Sequence, residues 1–353
     1  MIKNILILGA GIHGCFIAKY LAKNKNNNIV IIEKEKDICL GSSSATHNRA
    51  NRGFHYPRSK QTAKECMEAY DYFKNNYNKF LKQIDTYYCI EKNSKTSFKD
   101  YLSFFKANNL KYKLIKNSKF LKKDLIEAIL KVEEGCFNHD KIKIYLKKEL
   151  DKKNIKIHLN FNLKKIKRDN KKITLFSKTN KKINFKTSMI INSTYDNCNQ
   201  VIKLFQKDFK KINYTHQLTE VAVVYSKSYI PGITIMDGPF ATIMPLVGSK
   251  NKYLVYDVEN SILEKSKKPI TKFSKKTNFK KMEIKLNKYL NNYRIKYLNS
   301  RYGTRPIPMN DSKADRSTKI LNLNINGIKM INILEGKYIS APFVGKNLAQ
   351  KIK

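Results

Sequence analysis

MIKNILILGAGIHGCFIAKYLAKNKNNNIVIIEK, residues 1–34, decides the fold. The apolar run Ile5 to Leu8 meets the turn Gly9-Ala10-Gly11-Ile12-His13-Gly14. A helical pattern through Ile17, Ala18 and Leu21 follows, and a second apolar run, Ile29 to Ile32, ends on Glu33. Strand, glycine turn, helix, strand and acid form the order that binding a dinucleotide requires. Gly9 permits a tight turn, Gly11 admits a pyrophosphate against the backbone, and Gly14 lets the helix pack close to the strand. The helix N-terminus offers N–H groups and a positive dipole end to the phosphates. Glu33 stands roughly 20 residues beyond the glycines, where its carboxylate accepts hydrogen bonds from a ribose. Lys3 followed by apolar residues also suggests a secretory signal, but the run is too short and passes into an amphipathic helix.

Outward from that stretch, 353 residues suffice for two domains or one two-lobed unit. The net charge of +43 suggests nucleic acid, yet only eight of the 71 basic residues are arginine and the lysines are spread along the whole chain. Nucleic-acid recognition calls for clustering on one face, so a nucleic-acid partner is not expected, while a general attraction for anionic molecules is. Six arginines fall in two windows: Arg49, Arg52 and Arg58, then Arg301, Arg305 and Arg316. The guanidinium fork binds carboxylate or phosphate in a way lysine does not, which makes these windows candidate site regions. The six cysteines are widely spaced without a C-x-x-C pair and read as buried free thiols. No apolar run reaches membrane-spanning length, and a cytoplasmic protein is expected.

The polar segment Gly41 to Ser59 carries Ser43, Arg49, Gly53, His55 and Tyr56. Small hydroxyls, amides and arginines there suit a phosphate chain or polar ring system, and His55 and Tyr56 suit a planar one. Ser59 is expected to cap a helix from Lys60 to about Leu81.

On GAGIHG, the strand ending at Glu33-Lys34 and the Asn48 to Ser59 segment, the chain resembles bacterial FAD-dependent oxidoreductases of the D-amino-acid oxidase and glycine oxidase superfamily. That superfamily also holds the 2-hydroxyglutarate oxidases, and the GFHYPRS form is most similar to its uncharacterised amino-acid-oxidase-like members. The resemblance implies FAD, bound partly by the Asn48 to Ser59 segment. Some relatives have His before the glycine of this segment. Here Asn51-Arg52-Gly53 stands, which gives no support to a covalent flavin link at that position.

The resemblance also implies a two-lobed α/β fold: a Rossmann-like FAD-binding domain of residues 1–86, 136–205 and 300–353, interleaved with an antiparallel-sheet substrate domain of residues 87–135 and 206–299. A strand run at Tyr87 to Ile90 opens the second lobe, with helices and loops expected up to Glu134-Gly135. Asn138 is expected to cap a helix to Leu150 with Ile142, Ile144, Tyr145 and Leu146 on its apolar side. Strands are read at Ile155 to Leu159, Leu163 to Lys167, Ile173 to Phe176 and Ile183 to Phe185. His139 and His158 read as structural or solvated.

After the strand at Met189, relatives turn through small residues close to the nucleotide. Ser193-Thr194-Tyr195 stands here, leaving such passage open against a simple polar strand end. Strand runs appear at Leu218 to Tyr225, Thr242 to Met244 and Tyr253 to Val258, with Gly232, Gly238, Pro239, Pro245 and Gly248 marking turns. Ser261 to Tyr297 reads as lysine-rich helix, with Met282, Ile284, Leu286, Tyr289 and Leu290 as its apolar stripe. Arg301 to Pro308 resembles the superfamily's Gly-x-Arg-Pro loop. That likeness assigns Arg305 to a substrate carboxylate, against a structural pairing with Asp311 or Asp315. Near the C-terminus, Glu335-Gly336-Lys337 leads to a helix from Phe343 to Ile352, and the resemblance places Gly336 and Lys337 beside the flavin.

The implied activity is oxidation of a C–N or C–O bond of a small polar, acidic substrate by hydride transfer to flavin, without a metal. Oxygen or another acceptor reoxidises the flavin in this reading. An NAD(P)-dependent dehydrogenase shares the first motif, and a flavin-dependent RNA-modifying protein would need lysines clustered at the pocket.

Overall fold

The computed structural model describes residues 2–352 apart from 170, 239, 272, 274, 275, 292, 310–314 and 335. Pro239, Asp311 and Glu335, each given a part above, therefore lie outside the described residues. The chain opens with β1 (Lys3–Leu8), α1 (Ile12–Leu21), β2 (Asn27–Ile32), β3 (Arg49–Ala50) and α2 (Lys60–Tyr77). It continues through β4 (Leu81–Gln83), β5 (Thr86–Glu91), α3 (Phe98–Ala107), β6 (Tyr112–Ile115), β7 (Ile126–Val132), β8 (Gly135–Phe137) and α4 (His139–Lys152). Next come β9 (Lys156–His158), β10 (Leu163–Asp169), β11 (Lys172–Ser177), β12 (Lys182–Lys186), β13 (Met189–Asn192) and α5 (Cys198–Phe205). The remainder is β14 (Tyr214–Tyr225), β15 (Gly232–Met236), β16 (Ala241–Pro245), β17 (Lys252–Asp257), β18 (Ile262–Ser266), α6 (Phe279–Asn287), β19 (Lys296–Pro308), β20 (Ile320–Ile325), β21 (Ile328–Ile333) and α7 (Ala341–Lys351).

The first lobe is built on the six-stranded sheet β20-β21-β13-β1-β2-β9, parallel except for the hairpin β20-β21. Its inner strands β1, β2, β13 and β21 carry mostly buried apolar runs because both faces are covered. Residues from α1, α2, α4 and α7 form one core with one face, and β10 to β12 with α5 cover the other. The helix boundaries follow their caps: Ser59 Oγ accepts from the N–H of Thr62 at 3.4 Å and Asn138 Oδ1 from Lys141 at 3.0 Å.

The second lobe is a nine-stranded sheet in the order β18-β14-β17-β16-β15-β5-β7-β6, with β19 along the free edge of β14. It is antiparallel except where β15 joins β5 in parallel. Alternation sends Val224, Ile233, Ile243 and Val255 into a core under α6. The opposite face presents Tyr88, Thr234, Thr242, Tyr256 and Gln217 toward the first lobe. The molecule is thus a two-lobed α/β fold.

Several expectations are corrected. The helix from Lys60 stops at Tyr77, and Leu81 begins a strand. The stretch 87–135 holds one helix and three strands rather than mainly helices and loops. Gly232 opens a strand instead of marking a turn. Among the described residues between 261 and 297 only nine are helical, and β18 precedes them. Ile144 and Ile284, expected on apolar faces, are 55% and 56% exposed, whereas Met282 and Leu286 are buried. Arg301 to Pro308 is not a loop. It lies inside β19, which pairs with β14 and so places residues 300–308 in the second sheet.

Candidate functional site

The glycine turn is held by sterics. Gly9 has φ +98°, in the left-handed region, and a Cβ there would lie 2.8 Å from the Ser193 carbonyl oxygen. A Cβ on Gly14 would meet the Gly9 oxygen at 2.0 Å, so only glycine allows α1 to sit this close to the turn. Ser193 locks the arrangement by donating from Oγ to the carbonyls of Leu8 (3.0 Å) and Gly9 (2.9 Å). Tyr195 takes φ +54° just beyond, a conformation a side chain adopts only at a cost. At the N-terminus of α1, Gly11 contributes no side-chain cap, and the Ile12 N–H donates to Ser43 Oγ at 3.0 Å. Glu33 accepts from the N–H groups of Ala10 (2.6 Å) and Glu35 (2.9 Å), and burial pushes its carboxyl pKa up.

From there the segment 41–59 crosses to the second sheet. Arg49 is 4% exposed, with Nη1 donating to Tyr88 Oη (2.9 Å), Nη2 to Thr234 Oγ1, and Nε lying 3.9 Å from the wholly buried Glu134. Glu134 also accepts from the Arg52 N–H at 2.7 Å. Gly53 turns at φ +107° against Ala63. His55 stacks on Phe240 with centroids 4.6 Å apart, and Lys337 Nζ stands 4.5 Å from the Tyr56 ring centroid. Gly336 leaves room for His13, whose Nε2 lies 3.2 Å from the Lys337 carbonyl. The glycine turn, the Ser43 to Tyr56 segment and the Gly336-Lys337 turn are therefore brought together.

Arg305 reaches the same region from β19. Its Nε donates to Gln217 Oε1 (2.9 Å) and its Nη1 to Tyr256 Oη (2.7 Å). Among the described residues no carboxylate pairs with it. Asp315 instead accepts from Thr62 Oγ1 and lies 3.6 Å from Lys319. His47, on the segment opposite, has its ring centroid 6.1 Å from that of Tyr256. Gln217, Tyr256, His47 and Glu134 were not singled out from sequence. The only signal was one of strand alternation, which puts Gln217 and Tyr256 on the face opposite the apolar one.

Five of the eight buried polar side-chain atoms without a hydrogen-bond partner among the described residues belong to this region: His13 Nδ1, His47 Nδ1, Asn48 Oδ1, Arg49 Nε and His55 Nδ1. Buried polar atoms ordinarily find partners, so their concentration here matches a cofactor with many polar atoms. With a helix head whose N-cap is a glycine, the Glu33 carboxylate and the glycine cradle, the residues fit FAD. His139 is structural, its Nδ1 lying 2.9 Å from Tyr338 Oη. All six cysteines are buried and free, and among the described residues no helix is long and apolar enough to cross a membrane.

The family model of FAD dependent oxidoreductases, DAO, matches residues 4–253. The chain belongs to this family. The match decides for FAD over a nicotinamide dinucleotide, and the DAO chain is an FAD-dependent oxidoreductase. A curated FAD-dependent monooxygenase of Aspergillus flavus is 38% identical over 71 residues, a match covering 20% of this chain and only 16% of that protein. Solved structures cover far more. L-proline dehydrogenase from P. horikoshii is 15% identical, with a TM-score of 0.72 over 100% of this chain and 93% of that one. Glycine oxidase from Geobacillus kaustophilus is 12% identical, with a TM-score of 0.74 over 99% and 95%. The dithionite-reduced L-alpha-glycerophosphate oxidase from Mycoplasma pneumoniae, solved with FAD bound, is 17% identical, with a TM-score of 0.74 over 100% and 94%. At these identities the likeness is one of fold.

Burial holds the imidazoles of this region neutral. The pKa of His47 is pushed down to about 3 by burial, with Arg49 and Lys337 adding to it. His13 and His139 are pushed to about 4, again chiefly by burial. A histidine lowered in the fold stabilises fully above its unfolded pKa near 6.5, and that contribution is lost as pH falls toward the folded value. Each of the three should cost about 2 kcal/mol by pH 5. Urea midpoints should therefore fall between pH 7 and 5, and less steeply for His139→Gln. The buried carboxylates Glu33 and Glu134, raised by burial, oppose this slope, which makes the variant the decisive comparison. Equal slopes for variant and wild type would contradict the assignment.

Proposed function

We propose that the DAO chain oxidises a C–N or C–O bond of a small polar substrate carrying an anionic group, which Arg305 holds. The supporting observation is that guanidinium: Gln217 and Tyr256 fix two of its nitrogens, and no carboxylate among the described residues neutralises it. The solved neighbours are named for proline, glycine and glycerophosphate, each a small molecule with an anionic group. FAD supplies the redox chemistry by accepting a hydride. In this reading Gly9, Gly11 and Gly14 form the phosphate turn with Ser43, and Glu33 takes the ribose. Arg49, Gly53, His55 and Tyr56 shape the flavin pocket, and Gly336 and Lys337 close it. The sheet face bearing Gln217, Tyr256 and Arg305 excludes water and orients the substrate.

The test is bleaching of the flavin absorbance without oxygen by glycine, L-proline, 2-hydroxy acids and glycerol 3-phosphate, beside uncharged amines and alcohols. At least one acidic compound should reduce the flavin, and its uncharged analogue should not. Equal reduction by the uncharged analogue would overturn the anionic-substrate reading. Admitting air afterwards reads the electron acceptor, through the presence or absence of prompt reoxidation.

A further inference from the structure

Arg301 shares the first-lobe face of β19 with Arg305 but stands four residues away, at the other side of Gly303. Strand alternation puts residues 301, 303 and 305 on one face. That face lies directly on the segment after the second strand. A Cβ on Gly303 would meet Ala45 Cβ at 2.7 Å and Ser42 Cα at 3.2 Å, and Ser42 Oγ donates to the Thr304 carbonyl at 2.6 Å. Arg301 Nη1 reaches the Ser44 carbonyl at 3.4 Å. The neighbouring Ser43 holds the Ile12 N–H at the head of α1. One peptide unit therefore separates the residue that Arg301 touches from the residue that touches the phosphate-binding helix.

The charge on Arg301 is poorly compensated where it stands. The side chain is half-buried, burial lowers its pKa, and Asp140 acts on it only from a distance. No carboxylate lies within ion-pair distance of it among the described residues. Guanidinium cannot shed its proton in a protein, so a half-buried fork without an acid calls for an external anion. The anion that belongs at the head of α1 is a pyrophosphate.

We propose that Arg301 is a cofactor-binding residue for the pyrophosphate of FAD, contributed by the second lobe. Cofactor loading then fastens β19 to the first lobe, and the site is incomplete until both lobes are in place. The inference rests on the assignment of FAD to this chain and not on any substrate.

The test removes FAD, then titrates it back into wild type, Arg301→Gln and Arg301→Lys, following flavin fluorescence and the melting temperature with and without FAD. Arg301→Gln should weaken FAD binding at least tenfold, Arg301→Lys should recover part of the loss, and the cofactor-free proteins should melt together. The rise in melting temperature on adding FAD should shrink in the Gln variant. FAD affinity in Arg301→Gln equal to wild type would overturn the proposal and leave the FAD assignment standing. A cofactor-free Gln variant that melts well below wild type, with Lys restoring stability but not affinity, would also overturn it in favour of a structural role. Failure of wild type itself to bind FAD would reject the underlying assignment instead.

Discussion

Arg305→Ala is expected to lower kcat/KM for an acidic substrate by about 10²- to 10³-fold, mostly through KM, while the protein stays loaded with FAD. Truncating one partner of a buried, hydrogen-bonded charge pair costs 2–5 kcal/mol or more, and at about 1.4 kcal/mol per tenfold that range spans the expected loss. The side chain is oriented before any substrate arrives, because Nε is fixed on Gln217 and Nη1 on Tyr256. Preorientation spares part of the ordering cost of binding. Arg305→Lys should recover only part of the loss, since a single ammonium reproduces the charge and not the fork. Tyr256→Phe removes one of the two fixed partners and should have a smaller effect, about tenfold or less. Steady-state kinetics with whichever acid bleaches the flavin, paired with the flavin absorbance of each purified variant, separates the cases. An unchanged KM in Arg305→Ala would remove it from the substrate site.

The two arginine windows differ in how far sequence reached them. The first lobe was legible because Ile5 to Leu8 and Ile29 to Ile32 are continuous apolar runs, as strands buried on both faces must be, and because glycines stand where a Cβ would collide. The β10 to β12 meander was legible from its alternation. β19 was not, since Gly303 and Pro306 punctuate its sequence like a loop. The strand tolerates both because it is an edge, paired among the described residues only with β14, so the missing Pro306 N–H interrupts no second ladder there. Gly303 is required there by the closeness of Ala45.

The stretch 261–297 misled in the opposite direction. Its lysines and spaced apolar residues imitate a helical face, yet Ile284 is exposed and Leu290 lies past the helix end, bridging to Leu121. Gln217, Tyr256, His47 and Glu134 could not be found locally. Each acquires its meaning from a partner far along the chain, such as Arg305 for Gln217, 88 positions away. Helical spacing and strand alternation carry no information about such pairings.

Glu134→Ala is expected to cost about 3–5 kcal/mol of stability, because it strands a buried guanidinium. Tyr88 Oη accepts from Arg49 Nη1 and donates to Glu134 Oε2, each at 2.9 Å, so the three groups form a closed relay. Glu134 is raised by burial but held back by the charge of Arg49 and by hydrogen bonds from the Arg52 N–H and Tyr88, all of which favour its charged form. Arg49 cannot escape by deprotonating. Through Thr234 and Tyr88 the same guanidinium ties the segment after the second strand to β15 and β5, so the tie spans both lobes. Arg49→Met alone should also destabilise, since the buried carboxylate then loses its cation. The pair Arg49→Met with Glu134→Ala should cost less than the sum of the two single variants, with a coupling of about 0.5–3 kcal/mol read from urea midpoints. The cycle also divides two roles for Arg49. If Arg49→Met releases FAD while the cofactor-free protein keeps its wild-type midpoint, the guanidinium binds the cofactor and the relay contributes little. If stability falls first and FAD affinity follows in proportion, Arg49 serves the flavin by holding the two lobes of its pocket together.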